Sequence, residues 1–195
     1  MSEHSGTAAG PITDDETPVQ RYRRLAATLA ETVAAVPVDA WDNPSPCEGW
    51  TARDVLQHMI DATTWQATQV DLELPKGSTA EDPVAAWDMT RNAVIEVLAD
   101  PARGDREYAG MFGTTTLAET YKSFYCFDLV VHRWDIAHAA GIDDTIPAAD
   151  LALVRELADG MGDMIRMEGV AKAELPVPAD ADPQTKLLAY LGRSV

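Results

Sequence analysis

The stretch Leu117–Gly141, LAETYKSFYCFDLVVHRWDIAHAAG, constrains the fold of this chain more than any other. If this stretch is a helix, with about 100° of rotation per residue, its polar and titratable residues share one narrow stripe with a few apolar ones, and the opposite face is apolar. The stripe consists of Leu117, Tyr121, Asp128, His132, Asp135 and Ala139. Because a helix that is apolar nearly all round is buried, Asp128 and His132 are predicted to lie one turn apart inside a core.

A carboxylate and an imidazole inside a core need partners. Burying an unpaired carboxylate costs several kcal/mol or more, so it must be neutralised, hydrogen-bonded or coordinated to a metal. The sequence therefore indicates Asp128 and His132 as candidate functional residues.

Further helices are predicted before and after this stretch. Thr17 can cap a helix whose first position suits Pro18, and Thr51 begins a capping box, T-A-R-D, with Asp in the usual Glu or Gln position. Thr114 or Thr115 would cap the central helix, and Gly141 would end it. Apolar residues at helical spacing place the other helices at about 17–36, 51–70, 83–99, 147–167 and 184–191.

No part of the chain alternates strictly between apolar and polar residues, so the predicted fold class is an all-α bundle. The segment 100–113, with three glycines and a proline, is predicted to be a loop or to contain short extended pieces. Residues 1–16 are small, polar and acidic and are predicted to form a mobile tail. Residues 17–195 are predicted to form a single domain with a short C-terminal extension.

The charge and the cysteines exclude several function classes. The formal net charge is −17, which disfavours nucleic acid and anionic membrane surfaces as partners. Two cysteines do not make a disulfide framework, and no secretory segment or bilayer-spanning run is present. We therefore expect a cytoplasmic protein without membrane or nucleic-acid partners.

Three metal-ligating side chains are predicted to point inward from two helices: His58 from the second, and Asp128 and His132 from the central one. Imidazole nitrogens and a carboxylate are standard ligands for zinc and other divalent ions, and three donors leave a position open for water or substrate. The alternative is structural, because an inward histidine is often only hydrogen-bonded and D-x-x-x-H also occurs as an ordinary ion pair. Spacing alone leaves both open.

The residues around this set have two interpretations each. Asp135 is either an acceptor that orients an imidazole or binds water, or a surface partner near Arg133. Tyr121 and Tyr125 either line a pocket mouth or pack in the core, and packing is favoured. His138 lies off the stripe near the helix end and is predicted to be structural.

The two cysteines are predicted to be structural as well. Cys47, in the loop P-C-E-G-W, could be a nucleophile or a fourth ligand, but no base is obvious beside it in the sequence. Cys126 lies opposite the ligand stripe and is predicted to pack in the core.

Two motifs, P-S-P-C-E-G-W-T-A-R-D-V-L-Q-H-M and Y-x-x-D-L-V-V-H-R-W-D-I-A, resemble the DinB-like superfamily. Within it the chain is most similar to the actinobacterial branch that includes the N-terminal domain of mycothiol-dependent maleylpyruvate isomerase. The resemblance covers most of 17–191. It implies an up-and-down four-helix bundle that binds a divalent metal, zinc or nickel, on residues that correspond to His58, Asp128 and His132. Relatives commonly have Glu where this chain has Asp128.

The resemblance implies an enzyme that presents a metal-bound thiolate, with mycothiol as co-substrate, to an electrophilic small molecule. The isomerase has an additional C-terminal domain, whereas this chain ends soon after its bundle, so a thiol S-transferase is favoured over an isomerase. The alternative is a non-catalytic metal-binding or interaction module. An apolar-ligand carrier is a third interpretation, based only on the Trp and Met content. A homodimer is left open.

Overall fold

Long helices form the frame of the molecule. The structure, a computed structural model, describes residues 16–167 and 169–195. The long helices are α1 (Pro18–Ala35), α2 (Ala52–Thr68), α3 (Pro83–Leu98) and α6 (Cys126–Ala140). Thr17 and Thr51 form capping boxes at the starts of α1 and α2, as predicted.

These four helices enclose the core. Helix α1 packs against α3 and α6, and α2 packs against the same two helices. Fully buried side chains fill the space between them, the largest being Trp87, Trp134, Tyr22 and Tyr121. The predicted all-α class is confirmed, although the chain has more helices than the four of the expected bundle.

Shorter elements flank this frame. They are α4 (Pro101–Gly104), α5 (Leu117–Thr120), α7 (Ala148–Met161) and α8 (Pro183–Tyr190), with 3-10 turns at Val38–Ala40 and Gly162–Arg166. Helix α7 packs against α6, and α8 packs against α7. In this way the C-terminal part of the chain returns to the central helix.

A small β-hairpin precedes the central helix. Strand β1 (Glu107–Gly110) pairs antiparallel with β2 (Gly113–Thr116), and Met111 and Phe112 form the turn between them. Gly113 has φ +110°, a conformation that favours glycine. The predicted cap at Thr114 or Thr115 is wrong, because both threonines belong to β2 and the hydroxyl of Thr116 accepts the capping hydrogen bond from Glu119.

The central helix is interrupted after its first turn. A π-helical turn, Tyr121–Tyr125, separates α5 from α6, and Gly141 ends α6 with φ +66°, as predicted. A π-helical turn holds more residues than an α-helical one, so it changes which residues share a face. The stripe predicted from Leu117 through Tyr121 to Asp128 is therefore wrong in its first half.

The two tyrosines of this turn belong to the core. The Tyr121 hydroxyl donates a hydrogen bond to the carbonyl oxygen of Thr63 at 2.6 Å, and Tyr125 donates to that of Ala62 at 2.8 Å. Both bonds tie the π-helical turn to α2. Packing, the favoured interpretation for these residues, agrees with these contacts.

The predicted N-terminal tail lies outside the described residues except for Glu16. The Glu16 carboxylate forms an ion pair with Arg24 of α1, with a shortest separation of 3.0 Å. None of the helices in the described ranges has both the length and the hydropathy that a bilayer-crossing helix requires.

Candidate metal centre

One face of α6 opens onto a cavity of about 760 Å³. Its walls come from the loop before α2, from α2 itself, from the hairpin turn, from the end of α7 and from the C-terminal segment. His58, Asp128 and His132 all line it, so the fold brings the three predicted ligands to one cavity. The volume lies within the range of small-molecule sites.

His132 is held from behind by a buried carboxylate. Its Nδ1 lies 2.9 Å from Oδ2 of Asp135, three residues later on α6. Asp135 is completely buried, which excludes the alternative of a surface partner near Arg133. With Nδ1 engaged, Nε2 is the ring nitrogen of His132 that stays available to a ligand in the cavity.

Arg193 completes this arrangement from the far end of the chain. Its Nε donates to Oδ1 of Asp135 and its Nη2 to Oδ2, both at 2.8 Å. Such bidentate pairs are among the stronger hydrogen-bonded contacts in proteins. Gly192 allows the chain to turn here, with φ +75°. It also allows a close approach, because a Cβ at this position would lie 2.5 Å from Cβ of Lys172.

The pKa values of His132 and Asp135 are shifted in opposite directions. Burial alone lowers the pKa of His132, but its hydrogen bonds and the charges of Asp135 and Asp128 outweigh burial and raise it to about 10. Burial favours a higher pKa for Asp135, yet the hydrogen bonds from Arg193 and His132 hold it well below its usual range. In the metal-free protein, His132 is therefore an imidazolium between carboxylates at neutral pH.

His58 lies across the cavity in a different environment. Its ring packs between Trp50 and His132, with ring centroids 4.8 Å and 5.4 Å apart. Burial and the positive charge of His132 lower the pKa of His58 to about 4. His58 is therefore neutral at physiological pH, the form in which imidazole binds metals.

Asp128 faces the same cavity from α6. Within the described parts of the chain its carboxylate accepts no side-chain hydrogen bond, and burial raises its pKa. A carboxylate at a cavity wall without a hydrogen-bonding partner is suited to accept a cation.

The cavity lining also includes Cys47, which the sequence predicts to be structural. Its Sγ lies 3.3 Å from Oδ2 of Asp135, a carboxylate that is far from it in the sequence. Ligand atoms of Cys47, His132 and Asp135 lie within 4.8 Å of one another, and in the described part of the chain no group of three donors that includes His58 or Asp128 is as close together. The linear sequence gave no signal for this contact, because the residues are 88 positions apart.

The remaining candidates lie outside the cavity. The His138 ring stacks on Trp134, and its Nδ1 lies 2.8 Å from Oδ2 of Asp144 at the surface. Cys126 is fully buried, and burial raises the pKa of its thiol to about 12, which makes it an inert packing residue.

The histidines and the carboxylate that line this cavity come from facing helices. This arrangement is typical of helical-bundle proteins, which build ligand and metal sites in the same way. Residues 22–137 match the family described as the mycothiol maleylpyruvate isomerase N-terminal domain. This match covers more than half of the chain, and the chain belongs to that family of metal-binding, DinB-like domains. Arg193 lies beyond the matched residues.

Two relatives are similar to this chain over most of its length. They are uncharacterized proteins of Mycobacterium tuberculosis, from strains CDC 1551 / Oshkosh and ATCC 25618 / H37Rv. Each is 26% identical over 187 residues, which is 91% of this chain and 98% of the relative. No solved structure matches the chain.

Proposed function

We propose that this protein holds a divalent metal, zinc or nickel, on His58, Asp128 and His132, and uses it with a low-molecular-weight thiol such as mycothiol. One observation carries the proposal: Asp135 engages Nδ1 of His132, which leaves Nε2 as a ligand at the cavity that His58 and Asp128 also line. Histidine ligands in metal sites are commonly oriented in this way by a carboxylate on the other ring nitrogen.

The alternative ligand set, Cys47 with His132 and Asp135, is less suited to a cation. Both carboxylate oxygens of Asp135 already accept hydrogen bonds from Arg193, and Oδ2 also contacts His132. A metal bound there would have to displace a guanidinium or lie beside its positive charge. We therefore assign Asp135 the role of positioning His132 rather than that of a ligand.

The proposed chemistry follows from the open coordination position that three protein ligands leave. A divalent ion at this position would favour deprotonation of an incoming thiol and keep it a thiolate at neutral pH. Asp135 would keep the imidazole of His132 oriented, and the cavity would hold an electrophilic small molecule beside the thiolate sulfur. The reaction class is S-transfer or a thiol-dependent isomerisation, with a small-molecule thiol and an electrophile as partners, in the reducing cytoplasm.

Cobalt substitution tests the proposal. On addition of mycothiol or a small thiol mimic, the cobalt-loaded protein is expected to gain a sulfur-to-metal charge-transfer band and to release about one proton per thiol, because a free thiol of pKa ~8.5 is mostly protonated at neutral pH. Absence of the band at millimolar thiol, with cobalt demonstrably bound, would contradict the thiol-dependent enzyme. A non-catalytic metal-binding module would then be the better description.

A further inference from the structure

The apolar wall of the cavity has an unusual composition. All three phenylalanines of the chain and four of its seven methionines line this one cavity. They are Phe112, Phe124 and Phe127 together with Met111, Met161, Met164 and Met167. The cavity lining therefore includes seven of the chain's ten phenylalanine and methionine residues.

Much of this wall is exposed rather than packed in the core. Phe112 is 58% exposed and Met167 is 48% exposed. The Phe112 ring stacks on Phe124, with centroids 5.7 Å apart and an interplanar angle of 15°, and so continues the aromatic surface from the helix to the hairpin turn. Exposed contiguous apolar surface on a folded protein marks a binding site.

The position and size of the wall indicate what covers it. The wall belongs to the same 760 Å³ cavity as His58 and His132, and that volume suits a small molecule. Methionine side chains are flexible and polarisable, and surfaces rich in them adapt to ligands of different shape. Stacked phenylalanines favour a flat, aromatic body.

We propose that the electrophile of this site is an apolar small molecule with an aromatic body, and that the methionine wall accepts a range of such bodies. The inference rests on the proposed function, because it concerns the second substrate of the same site. The proposed function names only a type of reaction, whereas this inference also predicts that small, strongly polar electrophiles are not the preferred substrates.

Binding to the full-length, metal-free protein tests the wall without requiring any thiol chemistry. The neutral fluorescent probe N-phenylnaphthylamine is expected to bind saturably at one site per chain. Phe112→Ala and Met167→Gln should each weaken this binding by about fivefold, since each removes an apolar contact at the mouth. Saturable binding that neither variant weakens, or no saturable binding, would overturn the inference.

Two matched variants control for general surface effects. Trp65 is 61% exposed and Met89 is 47% exposed, close to the values for Phe112 and Met167, and neither lines the cavity. Trp65→Ala and Met89→Gln should bind the probe as the wild type does, and a loss as large as that of the lining variants would overturn the site assignment. Loss of probe binding upon dimerisation at higher protein concentration would assign the wall to a second copy of the chain and also overturn the inference.

The metal-loaded protein with thiol provides the second comparison. Benzyl chloride and chloroacetate share a displaceable chloride: the thiolate sulfur forms a bond to carbon, and chloride leaves with the bonding electron pair. For each substrate, the rate with the protein is divided by the rate of the uncatalysed reaction. This ratio should be about tenfold larger for benzyl chloride than for chloroacetate, and a larger ratio for chloroacetate would contradict the inference. If neither reacts while the probe binds as expected, the proposed function fails and the apolar site stands.

Discussion

Two histidines of α6 each contact an aspartate at nearly the same distance but in very different surroundings. His132 Nδ1 lies 2.9 Å from Asp135, and His138 Nδ1 lies 2.8 Å from Asp144. The first pair is buried, with Asp135 at 0% side-chain exposure, whereas the side chains of the second are 40% and 32% exposed. Among the described residues, a further charge, Arg193, pairs with the buried Asp135, and none pairs with Asp144.

The comparison shows that burial, not the hydrogen bond itself, distinguishes a site from an ordinary surface contact. An exposed ion pair gains little because water and salt screen it. A buried one cannot exchange its partner for water, so each charge depends on the other. His132 is thereby held in one orientation at the cavity, whereas His138 serves only the end of the helix.

The largest expected difference between the two histidines is in metal content. The wild type is expected to bind one equivalent of metal, and His132→Ala should lose it, because the substitution removes one of only three proposed ligands. His138→Ala should keep it. Elemental analysis after dialysis against a mild chelator measures both. One equivalent retained in His132→Ala, or a matching loss in His138→Ala, would show that the wrong histidine has been assigned.

The second expected difference is in stability. Asp135→Asn keeps the size of the side chain but leaves Arg193 buried without a counter-charge, so it should lower the free energy of unfolding by roughly 3–5 kcal/mol. Asp144→Asn at the surface pair should cost about 0–1 kcal/mol. Urea unfolding of both metal-free variants provides the measurement. Equal losses would mean that the buried pair contributes no more than the exposed one.

The pH dependence of stability sharpens the comparison further. The folded-state pKa of His132, about 10, exceeds the ordinary value of 6.5, so its stabilising contribution is complete below pH 6.5 and is lost as pH rises through about 10. Between neutral pH and pH 10, the metal-free wild type should therefore lose more unfolding free energy than His132→Ala. Parallel curves for the two proteins would show that His132 is not protonated in the native state.

The first half of the site could be predicted from sequence because it depends on local periodicity. Asp128 and His132 are one turn apart on a helix whose existence the apolar pattern indicates, and His58 follows from the face of α2. The prediction that Asp128, His132 and Asp135 share one face holds because all three come after the π-helical turn. Before it, where Tyr121 was placed on the same stripe, the 100° rule fails.

The second half of the site depends on contacts between distant parts of the chain. Arg193 reaches Asp135 across 58 positions and Cys47 reaches it across 88, and no periodic pattern connects them. The approach of Arg193 requires the C-terminal segment to return to α6 through α7 and α8, and it also requires the tight turn at Gly192. Periodicity reports which face of an element is buried but not which loop will cover it.

The smallest expected effect concerns the proton that His132 must release before its ring nitrogen can bind a metal. Near neutral pH the metal-free His132 carries a proton, because its pKa is about 10, whereas His58, with a pKa of about 4, does not. In Asp135→Asn the hydrogen-bonded carboxylate is gone, so the pKa of His132 should fall, with the charge of Asp128 still opposing the effect of burial. Metal binding should then release fewer protons than in the wild type, by up to about one. Asp144→Asn, the same change at the exposed pair, should leave the count unchanged. Calorimetric titration in buffers of different ionisation enthalpy gives these numbers, and identical proton release in all three proteins would mean that Asp135 does not control the protonation of His132.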